Sequence, residues 1–190
     1  MSVSLENNAR QIICSKHGII LEKCEEKNVF NVSFMITNKN INLRTFFDWN
    51  IYELLSSLNT DIIENIKIEH IDENRKSYII VFRRFMADLG VAQKYISFHV
   101  SKIEHTENSL VFHSNTNAIN ANHVFQKKHI EHILNDYAKL SIQYETPHKC
   151  FVSYNYHIDL QEDLPKSMKN IAGIMIKKLF WRFKVFIENM

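Results

Sequence analysis

Between Val29 and Ile36 the residues Phe30, Val32, Phe34 and Ile36 alternate with Asn31, Ser33 and Met35, the two-residue period of a strand with one buried face. Asn38-Lys39-Asn40 ends it, and the period changes. Leu43, Phe46, Phe47, Ile51, Leu54, Leu55 and Leu58 recur at helical spacing, with Trp49 and Tyr52 widening the stripe. This predicts a helix over 42–58, or two short ones broken near Asp48-Trp49-Asn50. Ile66, Ile68, Tyr78, Ile80 and Phe82 lie on either side of Asp72-Glu73-Asn74, the form of a hairpin. Phe85 to Ala92, containing Gly90, reads as a connection, 95–103 as a strand, 105–108 as a turn and 110–113 as the strand opposite.

Asn115 to Asn122 settles on no period, and Val124 to Tyr137 fits either a strand with a helical turn or a short helix. Residues 138–144 and 150–158 read as strands joined across 145–149, with Val152, Tyr154, Tyr156 and Ile158 on one face. In the last segment Asp163 suits an N-cap and Pro165 a first turn. Beyond them Met168, Ile171, Ala172, Met175, Ile176, Leu179, Phe180, Phe183, Phe186 and Ile187 recur every three or four residues. Residues 1–28, with Ile12, Ile13, Ile19, Ile20 and Leu21 between polar groups, read as a lead-in segment, either a short helix or a strand, and 29–190 as one domain without an internal repeat. The expected fold class is α+β, a curved antiparallel sheet covered on one face by helices, the long C-terminal one lying lengthwise on it.

Composition narrows the function classes. A chain of 190 residues, 45% hydrophobic, can build a core without a metal or disulfide. Cys14, Cys24 and Cys150 cannot all pair within one chain and match no zinc or redox spacing, which points to a reducing, cytoplasmic setting. With 23 basic against 21 acidic side chains, a phosphate-neutralising surface is not expected, so no nucleic-acid partner is assigned. No apolar run is long enough to span a bilayer, and Met1 to Asn8 carries no secretion signal.

The order of strand, helical pair, antiparallel strands and long terminal helix resembles the helix-grip fold of START-like (StAR-related lipid-transfer, or SRPBCC) domains over residues 29–190. The ending carries it best: Tyr144, a hairpin, the strand Phe151-Val152-Ser153-Tyr154-Asn155-Tyr156-His157-Ile158-Asp159-Leu160, the link Gln161-Glu162-Asp163-Leu164-Pro165, then the helix. START-like domains often place a glycine in that link, and this chain has none and no subfamily signature. The resemblance implies a sheet wrapped around the helix, leaving an elongated cavity for a lipid, sterol, polyketide or hormone. It would make Met168, Ile171, Met175, Leu179 and Phe183 the floor, and Tyr78, Phe82, Phe98, Phe112, Tyr144 and Tyr154 the walls. Thirteen phenylalanines, seven tyrosines and six methionines suit such a lining, and an ordinary core needs the same residues. Arg84 shares a face with Tyr78, Ile80 and Phe82 and is the candidate for an acidic head group; a surface pairing with an acid such as Glu69 is the plainer reading.

No Gly-rich phosphate loop, Gly-x-Ser-x-Gly, Cys-x-x-Cys or His-Glu-x-x-His is present, and no cofactor is expected. His129 and His132 with His123 or Glu131 could form a zinc set, but singly hydrogen-bonded histidines explain them as well, so no metal is assigned. Asp88 and His99 have no spacing that makes them an acid and base. The reading is therefore a non-catalytic binder of a lipid or other hydrophobic small molecule. A cyclase- or hydratase-like enzyme on the same fold, or an interaction module, stays open. The terminal helix carries Lys177, Lys178 and Arg182 as candidates for transient contact with an anionic membrane, with a solvated outer face as the alternative. Nothing in the pattern sets the oligomeric state.

Overall fold

In a computed structural model, which describes residues 10–24, 28–84, 92–117, 121–126, 130–133, 136–158 and 166–190, the alternating segments join one sheet. The side chains of 122–123 and 166–169 fall outside the description. The expected connection at 85–91 and the N-terminal signals Asp163 and Pro165 also lie outside the described residues.

The sheet has ten strands: β1 (Arg10–Lys16), β2 (Ile19–Cys24), β3 (Val29–Thr37), β4 (Ile63–Asp72), β5 (Arg75–Phe82), β6 (Gln93–His105), β7 (Ser109–Thr116), β8 (Ile130–His132), β9 (Tyr137–Thr146) and β10 (Lys149–His157). Its order is β1-β2-β3-β10-β9-β7-β6-β5-β4, all antiparallel. β8 runs parallel to Gln93–Tyr95 of β6, on the stretch before the β6–β7 pairing begins at Phe98. The lead-in segment supplies β1 and β2. Their hairpin turns through His17 and Gly18, both at positive φ (58° and 69°), the mirror-image turn whose twist matches that of antiparallel strands.

The strand periods hold. Phe30, Val32, Phe34 and Ile36 are buried on one face of β3, and β10 places Val152, Tyr154 and Tyr156 beside them through the pairs Phe34–Val152, Val32–Tyr154 and Phe30–Tyr156. The helical stretch 42–58 does break, into α1 (Leu43–Phe46) and α2 (Asn50–Ser57). The Asn42 side chain caps α1 by accepting from the Arg44 amide at 3.0 Å.

A short α3 (Ala121–Val124) and β8 settle the stretch that showed no period. They cover the outer face of β5 and β6, where Ile79, Val81 and Tyr95 meet Ala121 and Ile130 in a second, smaller core. That outer covering explains why both parities of β5 are apolar, a pattern that periodicity alone cannot assign to one buried face.

The terminal helix α4 (Lys166–Glu188) lies across β2 and β3 and touches α2. Its buried ridge is Gly173, Lys177, Phe180, Phe183 and Ile187, with half-buried Ile176 in line. Phe186, expected in the stripe, is exposed at 39%, because the buried ridge points to the side of the helix away from it. The C-terminal end of α4 is tied down. Asn38 on the β3–α1 connection donates to the Ile187 carbonyl, and Lys184 donates to the Met35 carbonyl at 2.7 Å. The first meets a helix-terminal carbonyl otherwise left to water, and the second fastens the helix to β3.

Candidate ligand-binding interior

The concave face of the sheet is read along rows of paired residues. One row runs Lys102, Phe112, Leu140, Tyr154, Val32, Leu21 and Cys14 across β6, β7, β9, β10, β3, β2 and β1. The next runs Lys76, Val100, Ser114, Ala138, Tyr156 and Phe30. Above these rows α4 contributes Phe180, 5.0 Å from the Tyr154 ring and 5.8 Å from that of Phe34, and Phe183, stacked on Phe47 at 5.8 Å. The α1–α2 pair fills the other half. Tyr52 lies 4.8 Å from Tyr78 and edge-on to Phe112 at 5.7 Å, and Trp49 lies 5.0 Å from Phe112. Each of these aromatic side chains contributes about 2 kcal/mol by burial.

Polar atoms in this interior are mostly phenols. The hydroxyls of Tyr78, Tyr144 and Tyr156 are buried and make no hydrogen bond among the described residues. Burial pushes the phenols of Tyr52, Tyr78, Tyr144, Tyr154 and Tyr156 well above their ordinary range, and Tyr154 adds to the effect at Tyr52 and Tyr156. They are therefore neutral donors at any physiological pH. Tyr154 differs from its neighbours in keeping part of its surface accessible although it lies deep between β10 and Phe180. On α4, Ile171, Ala172, Met175 and Ile176 are half-buried, whereas Leu179, Phe180, Phe183 and Ile187 are buried. The four half-buried residues flank Gly173, which is itself buried against Phe30.

One end of the interior is charged. The ammonium groups of Lys76 and Lys102 each lie 5.1 Å from the Trp49 ring centre, and Lys102 pairs with Asp48. Arg44 is close enough to Tyr144 to act on its phenol, and its Nε is buried without a partner among the described residues. A solvent-open depression of about 520 Å³, lined by Asp72, Glu73, Asn74, Arg75, Ser101 and Lys102, lies outside the grip at the β4–β5 turn.

No family model and no curated protein matches the chain. Solved structures do match in shape. The lipid transfer and protein localization domain of human StarD13 superposes with a TM-score of 0.72 at 10% identity, covering 96% of this chain and 91% of that one. Human StAR-related lipid transfer protein 5 gives 0.67 at 11%, covering 97% and 87%. A STAR-related lipid transfer protein from Xanthomonas axonopodis gives 0.58 at 8%, covering 94% and 95%. The chain has the START-like helix-grip fold. The helix grip is thus reached by a sequence that shares about one residue in ten with these structures, which is as expected when the fold needs a pattern of burial rather than particular residues.

Within the START-like frame the expected wall residues converge. Tyr78 and Phe98 are register partners stacked at 5.6 Å, and Phe112, Tyr144 and Tyr154 share their concave face. Phe82 has the same parity at the half-buried end of β5. Of the expected floor, Leu179 and Phe183 are buried and Ile171 and Met175 half-buried, while the Met168 side chain lies outside the description.

Three placements differ from the sequence expectation. Arg84 is exposed beyond the end of β5 and does not enter the interior, because the strand stops at Phe82 before its alternation can aim the guanidinium inward. Lys177 is on the buried ridge of α4, 9% exposed, where it donates to the Cys14 sulfur at 3.1 Å. Lys178 and Arg182 both bind Asp61, so their charge is met within the fold. Tyr156, Tyr52, Trp49 and Phe180 were not singled out as lining residues. Tyr156 was legible from its parity with Tyr154; Tyr52 and Trp49 were not, since only the break between α1 and α2 turns them onto the sheet.

Histidine chemistry is confined. The His132 ring stacks on Tyr95 at 4.8 Å, burial lowers its proton affinity, and Glu131 pairs with Lys94. Among the described residues no three His, Cys, Asp or Glu side chains gather as a metal set, and no helix is long and apolar enough to cross a membrane.

Proposed function

We propose that the chain binds a hydrophobic small molecule, a lipid or lipid-like compound, between the concave face of the sheet and the helices that cover it, without chemical turnover. The observation that carries this reading is the set of buried hydroxyls of Tyr78, Tyr144 and Tyr156, without partners among the described residues, in a largely aromatic interior. An unmet buried donor costs about 1–3 kcal/mol, and a ligand oxygen placed against any one of them recovers that share. Tyr154 and, on α4, Ile171, Ala172, Met175 and Ile176 keep accessible surface, which supports entry of a ligand from that side. Neutral phenols favour binding over proton transfer, since their acidity lies far from that of a base poised at neutral pH. The names of the structural neighbours, lipid transfer proteins, support the same ligand class.

Transfer between membranes and a cytoplasmic setting are the finer parts of the proposal. The three cysteines are unpaired, which suits a reducing compartment. Native mass spectrometry and organic extraction of freshly purified protein test the reading. A stoichiometric lipid is the expected result. Repeated ligand-free protein that also takes up no lipid from mixed vesicles overturns it.

A further inference from the structure

The β1–β2 hairpin and α4 meet at a pair that the ligand-binding reading does not use. In β1 the register with β2 shifts between Ile12 and Cys14, so that Cys14 faces Leu21. The bulge turns Ile13 and Cys14 together toward the core, whereas Ile12 stays 59% exposed. Across from it Lys177 sits on the buried ridge of α4, and its Nζ donates to the Cys14 Sγ at 3.1 Å. Among the described residues no carboxylate pairs with Lys177. A lysine amine that is nine-tenths buried, with sulfur as its one partner among the described residues, is a costly arrangement in an apolar contact, and it places a nitrogen against a thiol that is itself partly exposed.

We propose that Cys14 and Lys177 form a peroxide-responsive couple that closes into a covalent sulfur–nitrogen link between β1 and α4. In the first step the Cys14 sulfur takes one oxygen from hydrogen peroxide. The O–O bond breaks, sulfur is oxidised by two electrons, and the leaving hydroxide takes the thiol proton and departs as water. This leaves a sulfenic acid beside the amine. In the second step the Lys177 nitrogen attacks sulfur, the S–O bond breaks, and the hydroxyl leaves with an amine proton as a second water. The product is a sulfenamide, lighter than the starting pair by two hydrogen atoms. A thiol reductant opens it by attack at sulfur, returning amine and thiol. Because α4 lies over the candidate interior and β1 at the sheet edge, the link staples the helix to the sheet.

Hydrogen peroxide treatment of the full chain, followed by peptide mapping with and without dithiothreitol, tests this directly. The expected result is a reductant-sensitive peptide joining Cys14 to Lys177 with the mass of two hydrogens lost, and matching loss of free-thiol labelling at Cys14. In Lys177→Met, which keeps length and burial, dimedone labelling of Cys14 rises several-fold because the sulfenic acid is no longer captured. Cys14 left unoxidised, or carried to sulfinic acid with Lys177 unlinked in the native chain, overturns the proposal. So does equal dimedone labelling with and without the lysine. The mapping needs no variant to fold, and its outcome is independent of whether a lipid is bound.

Discussion

Gly173 of α4 lies against Phe30 of β3 so closely that a Cβ built on the glycine would stand 2.7 Å from the ring. The ring cannot swing away, because Phe30 is 2% exposed and stacks on Tyr156 at 5.6 Å. Gly173→Ala therefore sets two effects against each other. Alanine gains about 1 kcal/mol of helix propensity, and overpacking costs about 1–3 kcal/mol. Net destabilisation of about 1 kcal/mol is expected, read as a lower urea midpoint with an unchanged slope, since the contact is with a fixed ring. A more stable variant would show that α4 stands further from β3.

Tyr78→Phe removes a hydroxyl that has no partner and leaves the ring stacked on Phe98. The ligand-free protein should gain up to about 1 kcal/mol, because a buried unmet donor is lost. Affinity for an oxygen-bearing ligand such as dodecanol should fall by about tenfold, while that for dodecane stays level. Calorimetry on both ligands separates this from a general change in packing, which would move the two together.

The fold was legible where one face of an element decides its residues. Phe30, Val32, Phe34 and Ile36 gave β3 its inner face, and the recurrence from Ile171 to Ile187 gave α4 its length. What periodicity could not give was the rotation of α4. Apolar residues spread round much of the helix, so Met175, half-buried, and Phe183, buried, looked equivalent, and the close approach at Gly173 decides between faces. The segments 121–124 and 130–132 were opaque for a different reason. They are a single helical turn and a three-residue strand, too short for any period to show. The hairpin β1–β2 stayed open between helix and strand because its bulge at Ile12 to Cys14 breaks the alternation.

Asn38 ties the end of β3 to the end of α4. It is 4% exposed, its amide group donates to the Ile187 carbonyl, and its Oδ1 accepts from the Asn40 amide at 2.7 Å. Asn38→Ala leaves a buried helix carbonyl and a turn amide without partners, for a loss of about 2 kcal/mol. Asn38→Asp keeps the acceptor but loses the donor to Ile187, and brings a carboxylate to the negative end of the helix dipole. It is expected to be at least as destabilising. Hydrogen exchange should show faster opening of the last turn of α4 in both variants, with β4–β5 unaffected.

Asp61 follows α2 and receives both Arg182 and Lys178 from α4, the first through two nitrogens and the second at 3.1 Å. Hydrogen bonding from Arg182 is the largest influence and, with a lesser contribution from Lys178, holds its carboxyl well below the usual carboxylate range against the opposing effect of burial. A carboxylate depressed in the folded state adds stability that is fully present above the unfolded value, about pH 4. That contribution is lost as pH falls through the lower folded value. Since Asp61 is 51% exposed, solvent screening limits it to about 1 kcal/mol or less. Asp61→Asn should therefore be less stable than the native chain by about that amount at neutral pH. The gap should persist to pH 4, shrink only in stronger acid, and narrow in high salt. Urea titrations of both proteins from neutral pH into that acid range check it, and a gap that closed near pH 6 would place the stabilisation on another group.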